Sequence, residues 1–248
     1  VATALPKAIA GICRLEATRC RSGRDFESDI ASLISFLDEK LCQRQAGSAK
    51  DGDWARVSLA PAEWNVANHK NVREAFFSLL KPAPAKKVLL LRGDRGCGKT
   101  AVTAELASYT QKLEGMLRSS WINLKADARS VAGRLADDLK VQAEIDVQQR
   151  LSGIEELRRV FRRAEQAPSP TILFFDAYEE TAEYADWLRE EVLHAAGKNE
   201  WLRVVISGNS VPDSDGDDAF DWRDAVQQFD IKAVTKASDW LPLFKKKH

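Results

Sequence analysis

The sequence has little with which to cross-link itself or to hold a soft metal: its 248 residues include four cysteines and three histidines. Cys13, Cys20, Cys42 and Cys97 show no metal-ligand spacing, and His69, His194 and His248 are scattered. Neither a disulfide framework nor a structural zinc site is expected. Reduced thiols fit a cytoplasmic setting. No apolar run approaches the roughly 18 to 20 residues of a membrane span, and no basic-then-apolar leader opens the chain. Net charge is missing too, because 37 Lys and Arg face 37 Asp and Glu. No overall basic field draws the chain toward nucleic acid or an anionic membrane, so neither partner is expected. The chain opens on Val1 rather than a methionine, and a piece of a longer polypeptide is expected.

What is present is an alternation of strands and helices. "KVLLL" (87–91), "SSWINL" (119–124), "TILFFD" (171–176) and "LRVVISG" (202–208) are short buried strands, and "FDIKAV" (229–234) is a candidate fifth. Between them lie helical patterns in "TAVTAELASYTQKL", "RSVAGRLADDLKVQ", 146–166 and "YADWLREEVLHAA". The stretch 146–166 carries Leu151, Ile154, Leu157, Val160 and Phe161 on one stripe. Strands separated by helices predict an α/β domain whose parallel sheet is covered on both faces. Upstream, "NVREAFFSLL" is helical and the prolines of "KPAPAKK" end it. An amphipathic helix over 25–41 is followed by the polar "CQRQAGSAKDGD". The expected organisation is therefore a segment 1–45, a linker 46–60 and a main domain 61–248.

Between the first strand and its helix stands "GDRGCGKT", Gly93 to Thr100. Gly93, Gly98, Lys99 and Thr100 have the spacing of a phosphate loop, and the strand before and helix after give the context that pattern requires. Backbone N–H groups over 95–100 and the helix N-terminus would then meet a phosphate, the Lys99 ammonium would bridge two phosphates, and the Thr100 hydroxyl would bind Mg²⁺. The alternative is a glycine-rich turn with no ligand. The third strand ends in Asp176, with Glu179 and Glu180 just beyond. Asp176 would hold the metal and a glutamate would orient or deprotonate water; the alternative is a helix N-cap followed by first-turn acids. Asn209, past the fourth strand, is either a sensor of the terminal phosphate or part of an Asn-Ser turn. Trp64 or Val66 would line an adenine pocket, or Trp64 is a core residue.

"GDRGCGKT", "FFDAYEE" and "VVISGNSVP", in this order, resemble the nucleotide-binding domain of STAND signalling NTPases, which include NACHT and NB-ARC proteins. The NACHT pattern of an aspartate, a small residue, an apolar residue and two acids matches Asp176, Ala177, Tyr178, Glu179 and Glu180. The resemblance implies a three-layer phosphate-loop fold with five strands in the order 5-1-4-3-2. It implies ATP or ADP with Mg²⁺, bound by Gly93, Arg95, Gly96, Cys97, Gly98, Lys99, Thr100, Ala101 and Asn209, with Thr100 and Asp176 on the metal and Glu179 and Glu180 catalytic. It also implies slow hydrolysis and self-association governed by the nucleotide, in bacterial antiphage immunity. Bacterial members often carry arginine where Asn209 stands, which leaves phosphate sensing and hydrolysis open. Residues 4–41 resemble the last strand and helix of a bacterial TIR domain, whose catalytic glutamate would lie outside this chain; a helical arm is the alternative. "ASDWLPLF" resembles the helix that ends the STAND core. A small kinase or a non-hydrolysing scaffold that keeps its nucleotide are the other functions these residues allow.

Overall fold

The computed structural model describes Trp54, Val57 and residues 64–244 apart from 114, 142–150, 167, 181–183, 217–218 and 220. All of these belong to the unit Lys50–His248. The TIR-like segment and the helix expected over 25–41 lie outside the described residues, as does most of the stretch read as linker.

Five strands form one sheet: β1 (Val88–Arg92), β2 (Arg118–Asn123), β3 (Thr171–Asp176), β4 (Leu202–Gly208) and β5 (Val226–Asp230). Their order is β2-β3-β4-β1-β5 and every pairing is parallel. This is the order 5-1-4-3-2 seen from the other edge. All of β3 and β4 is buried, as expected of parallel strands covered on both faces.

Side chains alternate between two cores. Val88, Leu90, Leu173, Phe175, Val204 and Ile206 point to one, Leu89, Leu91, Ile172, Phe174 and Val205 to the other. The first is closed by α3 (Ala128–Asp138), by α4 (Gly153–Gln166) and by a helix, α5, that runs through Ala185–Trp187, a π-wound Leu188–Leu193 and His194–Lys198. The second is closed by α1 (Lys70–Leu79) and α2 (Lys99–Gln111). The protein is thus a three-layer α/β fold with the strand order expected of a phosphate-loop domain. A last helix, α6 (Ala237–Phe244), follows β5. Among the described residues no helix is long and apolar enough to cross a membrane.

Local chemistry sets several boundaries. The Asp127 carboxylate accepts the Ser130 N–H and starts α3. Ser152 and Glu155 form a reciprocal capping box, with Ser152 N–H donating to Glu155 Oε2 at 2.9 Å and Glu155 N–H to Ser152 Oγ at 3.3 Å. That box makes α4 begin at Gly153, so Leu151 and Ser152 precede the helix, and residues 146–150 of the expected stretch lie outside the described residues. The fifth strand also differs from expectation, since it spans Val226–Asp230 rather than 229–234. As an edge strand it is mostly exposed and carries Gln227 and Gln228. The apolar pattern therefore pointed downstream to Ile231, which is buried beyond the strand.

Candidate functional site

In a parallel sheet all carboxyl ends emerge at one edge, and the order β3-β4-β1 brings the ends of the three central strands side by side. Asp176 ends β3, Gly208 ends β4, and Gly93 follows β1. Register sharpens this: Phe175 pairs with Ile206 and Leu91 with Ser207, so Asp176 lies level with Ser207 and Leu91, two residues below Gly93 where the loop begins.

The loop from Gly93 is shaped by its glycines. A Cβ on Gly93 would lie 2.3 Å from the Ile231 carbonyl and 2.8 Å from Cys97 Sγ, so only glycine fits between β1 and the chain after β5. Gly98 caps α2 with φ 99°, and Gly96 has φ 81°, values open to glycine. A Cβ on either meets nothing within 4 Å, so the loop faces open space on that side. Arg95, Thr100 and Ala101 are exposed there, while Cys97 is buried.

Lys99 is the buried cation of the loop, 8% exposed. Its Nζ donates to Gly93 O at 2.8 Å, Asp94 O at 2.9 Å and Asn209 Oδ1 at 3.0 Å. Thr100 Oγ1 donates to Asp176 Oδ2 at 3.0 Å, and Ser207 Oγ donates to Asp176 Oδ1 at 2.6 Å. Asp176 is therefore not the N-cap of a helix: its two oxygens face a loop hydroxyl and a strand hydroxyl.

Directly after Asp176, Ala177 takes φ 64°, a left-handed conformation that costs a non-glycine residue on the order of 1 kcal/mol or more. That turn starts the short 3₁₀ segment Tyr178–Glu180 and swings Glu179 across the end of β4. Glu179 Oε2 accepts the Asn209 backbone N–H at 2.8 Å, and a Cβ on Gly208 would come within 2.8 Å of the same oxygen. Burial raises the Tyr178 phenol above its ordinary value, with Arg189 opposing. Glu180 is exposed, and its backbone N–H closes the turn on Ala177 O.

Asn209 thus joins both sides, its amide oxygen to Lys99 and its N–H to Glu179. Ser207 is the residue that reading for motifs passed over; the available signal was a hydroxyl in an otherwise apolar strand tip, "VVISG". Trp64 and Val66 are partly buried against the α1–α2 core, and Trp64 Nε1 donates to Asn68 O at 2.8 Å. Asn65 holds the Glu105 carboxylate of α2 through its N–H and Nδ2, so the stretch 64–69 is docked beside the phosphate-loop helix. Among the described residues no group of three or more His, Cys, Asp and Glu side chains is placed to hold a metal. Any cation here would rest on the Thr100 hydroxyl and a single carboxylate, an all-oxygen set of the kind Mg²⁺ accepts.

No protein-family model matches the chain, and no curated protein matches it. Similar folds occur among solved structures. The Aeropyrum pernix ORC1 protein in complex with DNA superposes with a TM-score of 0.53 at 16% identity, covering 74% of this chain and 50% of that one. Cdc6p from Pyrobaculum aerophilum gives 0.48 at 18% identity, covering 73% and 50%. The chain spans about half the length of these structures. At such identity the likeness to ORC1 is one of fold, the three-layer α/β phosphate-loop fold described above.

Proposed function

We propose that this domain binds ATP with Mg²⁺, hydrolyses it slowly, and uses the nucleotide state to govern self-association, as the switch of a NACHT-like STAND protein. The observation that carries this reading is the convergence of Lys99, Thr100 and Asp176 at one sheet edge, with the Thr100 hydroxyl 3.0 Å from the Asp176 carboxylate. Glycines open to solvent at 96 and 98, a buried ammonium and a hydroxyl–carboxylate pair fit a phosphate with its cation. Mg²⁺-ATP supplies the reactive phosphoanhydride and neutralises part of its charge. Lys99 and the loop N–H groups orient the phosphates, Thr100 and Asp176 hold the cation, and Glu179 takes a proton from water. Asn209 positions Glu179 through its N–H. The effector belongs to the same polypeptide, a TIR domain, and the setting is bacterial antiphage defence. That much rests on the STAND and TIR resemblances of the sequence.

The two acids after Asp176 are both exposed but not equivalent, because Glu179 Oε2 accepts the Asn209 N–H just past β4 at 2.8 Å. Glu179→Gln is expected to lower steady-state phosphate release by about a hundredfold or more, the scale of a lost general base, with ATP binding retained. Glu180→Gln should stay within a few-fold of the parent. A phosphate-release assay on the purified chain decides this, and equal losses in the two variants would remove Glu179 from its role.

A second reading, a scaffold that retains nucleotide without hydrolysing it, is favoured by Asn209. Its amide is bonded to Lys99, where bacterial STAND proteins often offer arginine. Under this reading the parent releases no phosphate and nucleotide co-purifies with it.

A further inference from the structure

We infer that Ser207 is a positioning residue for the cation site: its hydroxyl fixes the Asp176 carboxylate so that one oxygen stays turned toward Thr100. The inference rests on the reading of Asp176 and Thr100 as cation holders.

Ser207 is fully buried at the level of Leu91 in the middle of the sheet. Its neighbours along β4, Val204, Val205 and Ile206, are fully buried and apolar, and packing alone calls for another such side chain. A hydroxyl there requires a partner, since a buried polar group without one is costly. The partner is Asp176 Oδ1 at 2.6 Å, a short contact of the kind a charged acceptor makes. Torsion about the last bond of an aspartate is soft and broad, so a carboxylate at a strand tip has no strong preference for where its oxygens point. The Ser207 bond supplies that preference. With Oδ1 held, Oδ2 is the oxygen that meets Thr100 Oγ1 at 3.0 Å. Just past the same strand end, the Asn209 N–H donates to Glu179 Oε2 at 2.8 Å, so the end of β4 and the residue after it each hold one acid of the site. Hydrogen bonds that orient a metal-holding carboxylate typically change metal affinity by 10- to 100-fold.

The test is a Mg²⁺ titration of the purified chain at fixed fluorescent ATP analogue, read as nucleotide fluorescence. Ser207→Ala is expected to raise the Mg²⁺ concentration at half-saturation by about tenfold or more, with analogue binding in EDTA and the melting temperature of the unliganded chain close to the parent's. Ser207→Thr, which keeps the hydroxyl, should return the midpoint toward the parent; Ser207→Cys, a weak donor, covers the case in which the added methyl is not tolerated, and should fall between Ala and Ser. Asp176→Asn is measured alongside. If Asp176→Asn shifts the midpoint and Ser207→Ala does not, the positioning role is overturned and the cation site stands. If neither shifts it, the cation reading fails and the inference goes with it. Loss of analogue binding in EDTA by Ser207→Ala would mark a general packing role and also overturn it.

Discussion

Replacing Lys99 with alanine is expected to weaken Mg²⁺-ATP binding by at least about a hundredfold. A charge-assisted hydrogen bond contributes roughly 1.5 to 3 kcal/mol, and each 1.4 kcal/mol is about tenfold in affinity; an ammonium has three donors to offer. All three are engaged in this site, on Gly93 O, Asp94 O and Asn209 Oδ1. These acceptors are neutral, so a phosphate is the stronger partner and the ammonium moves to it at modest cost. Alanine removes the only buried cation among the described loop residues, and nothing nearby replaces it: Arg95 is exposed on the loop, and Arg92 is paired with Asp230 at 2.9 Å. Binding of a fluorescent ATP analogue measures the loss, with the melting temperature reporting that the loop still folds. Sedimentation in ATP and in ADP reads the second consequence, because a chain that cannot hold nucleotide should show no ATP-dependent assembly. Affinity equal to the parent's would remove the site from the loop altogether.

The elements that could be read from the sequence are those where one physical signal dominates. β3 and β4 are unbroken apolar runs buried on both faces, and both run over the expected residues. The phosphate loop was legible because the glycines that its backbone needs are unusual in spacing and flanked by strand and helix. Strand order followed from resemblance, since no local pattern in β1 names its neighbours. β5 was misplaced because a half-exposed edge strand has no apolar period, and the eye moves to Ile231 instead. At the candidate site, the sequence pointed to segments that the fold brings together, without saying which atoms meet. Glu179 and Glu180 are adjacent acids on paper, and the left-handed turn at Ala177 precedes the short segment in which Glu179 accepts the Asn209 N–H just past β4. Ser207 needed the register of β3 on β4 before its hydroxyl acquired a partner.

The other polar side chain inside β4 predicts the second large effect, on stability. Arg203 is fully buried at the opposite end of the strand, and its Nη1 donates to Glu200 O at 2.8 Å and Leu202 O at 3.0 Å, its Nε to Leu79 O at 3.2 Å. The Trp54 ring lies 4.6 Å from its guanidinium carbon, and Trp54 Nε1 donates to Glu200 O at 2.6 Å. Burial pushes Arg203 down to about 10, with Glu200 opposing, so the group stays charged at neutral pH. Lys87 joins the cluster through Glu200 Oε1 at 2.6 Å. One guanidinium therefore ties the end of α1, the turn before β4 and Trp54 to the sheet. Arg203→Leu removes the guanidinium donors to Leu79 O and Leu202 O, leaves Glu200 O with Trp54 Nε1 alone, and removes the cation on which Trp54 rests; the expected loss is about 3 kcal/mol by urea unfolding, or roughly 6 to 12 °C in melting temperature for a domain of this size. Arg203→Lys should recover only part of it, because an ammonium cannot keep three directions and a stack at once. A loss below about 1 kcal/mol would show that water or a rearranged Trp54 replaces the cluster. Four residues along a strand separate Arg203 from Ser207 by roughly 13 Å, beyond the range at which neighbours couple. The double variant Arg203→Leu/Ser207→Ala should therefore add in stability to within about 0.5 kcal/mol, while its Mg²⁺ midpoint equals that of Ser207→Ala alone. Coupling between the two would mean that strand β4 transmits strain from the Trp54 end to the cation site, and the two polar residues would then belong to one network.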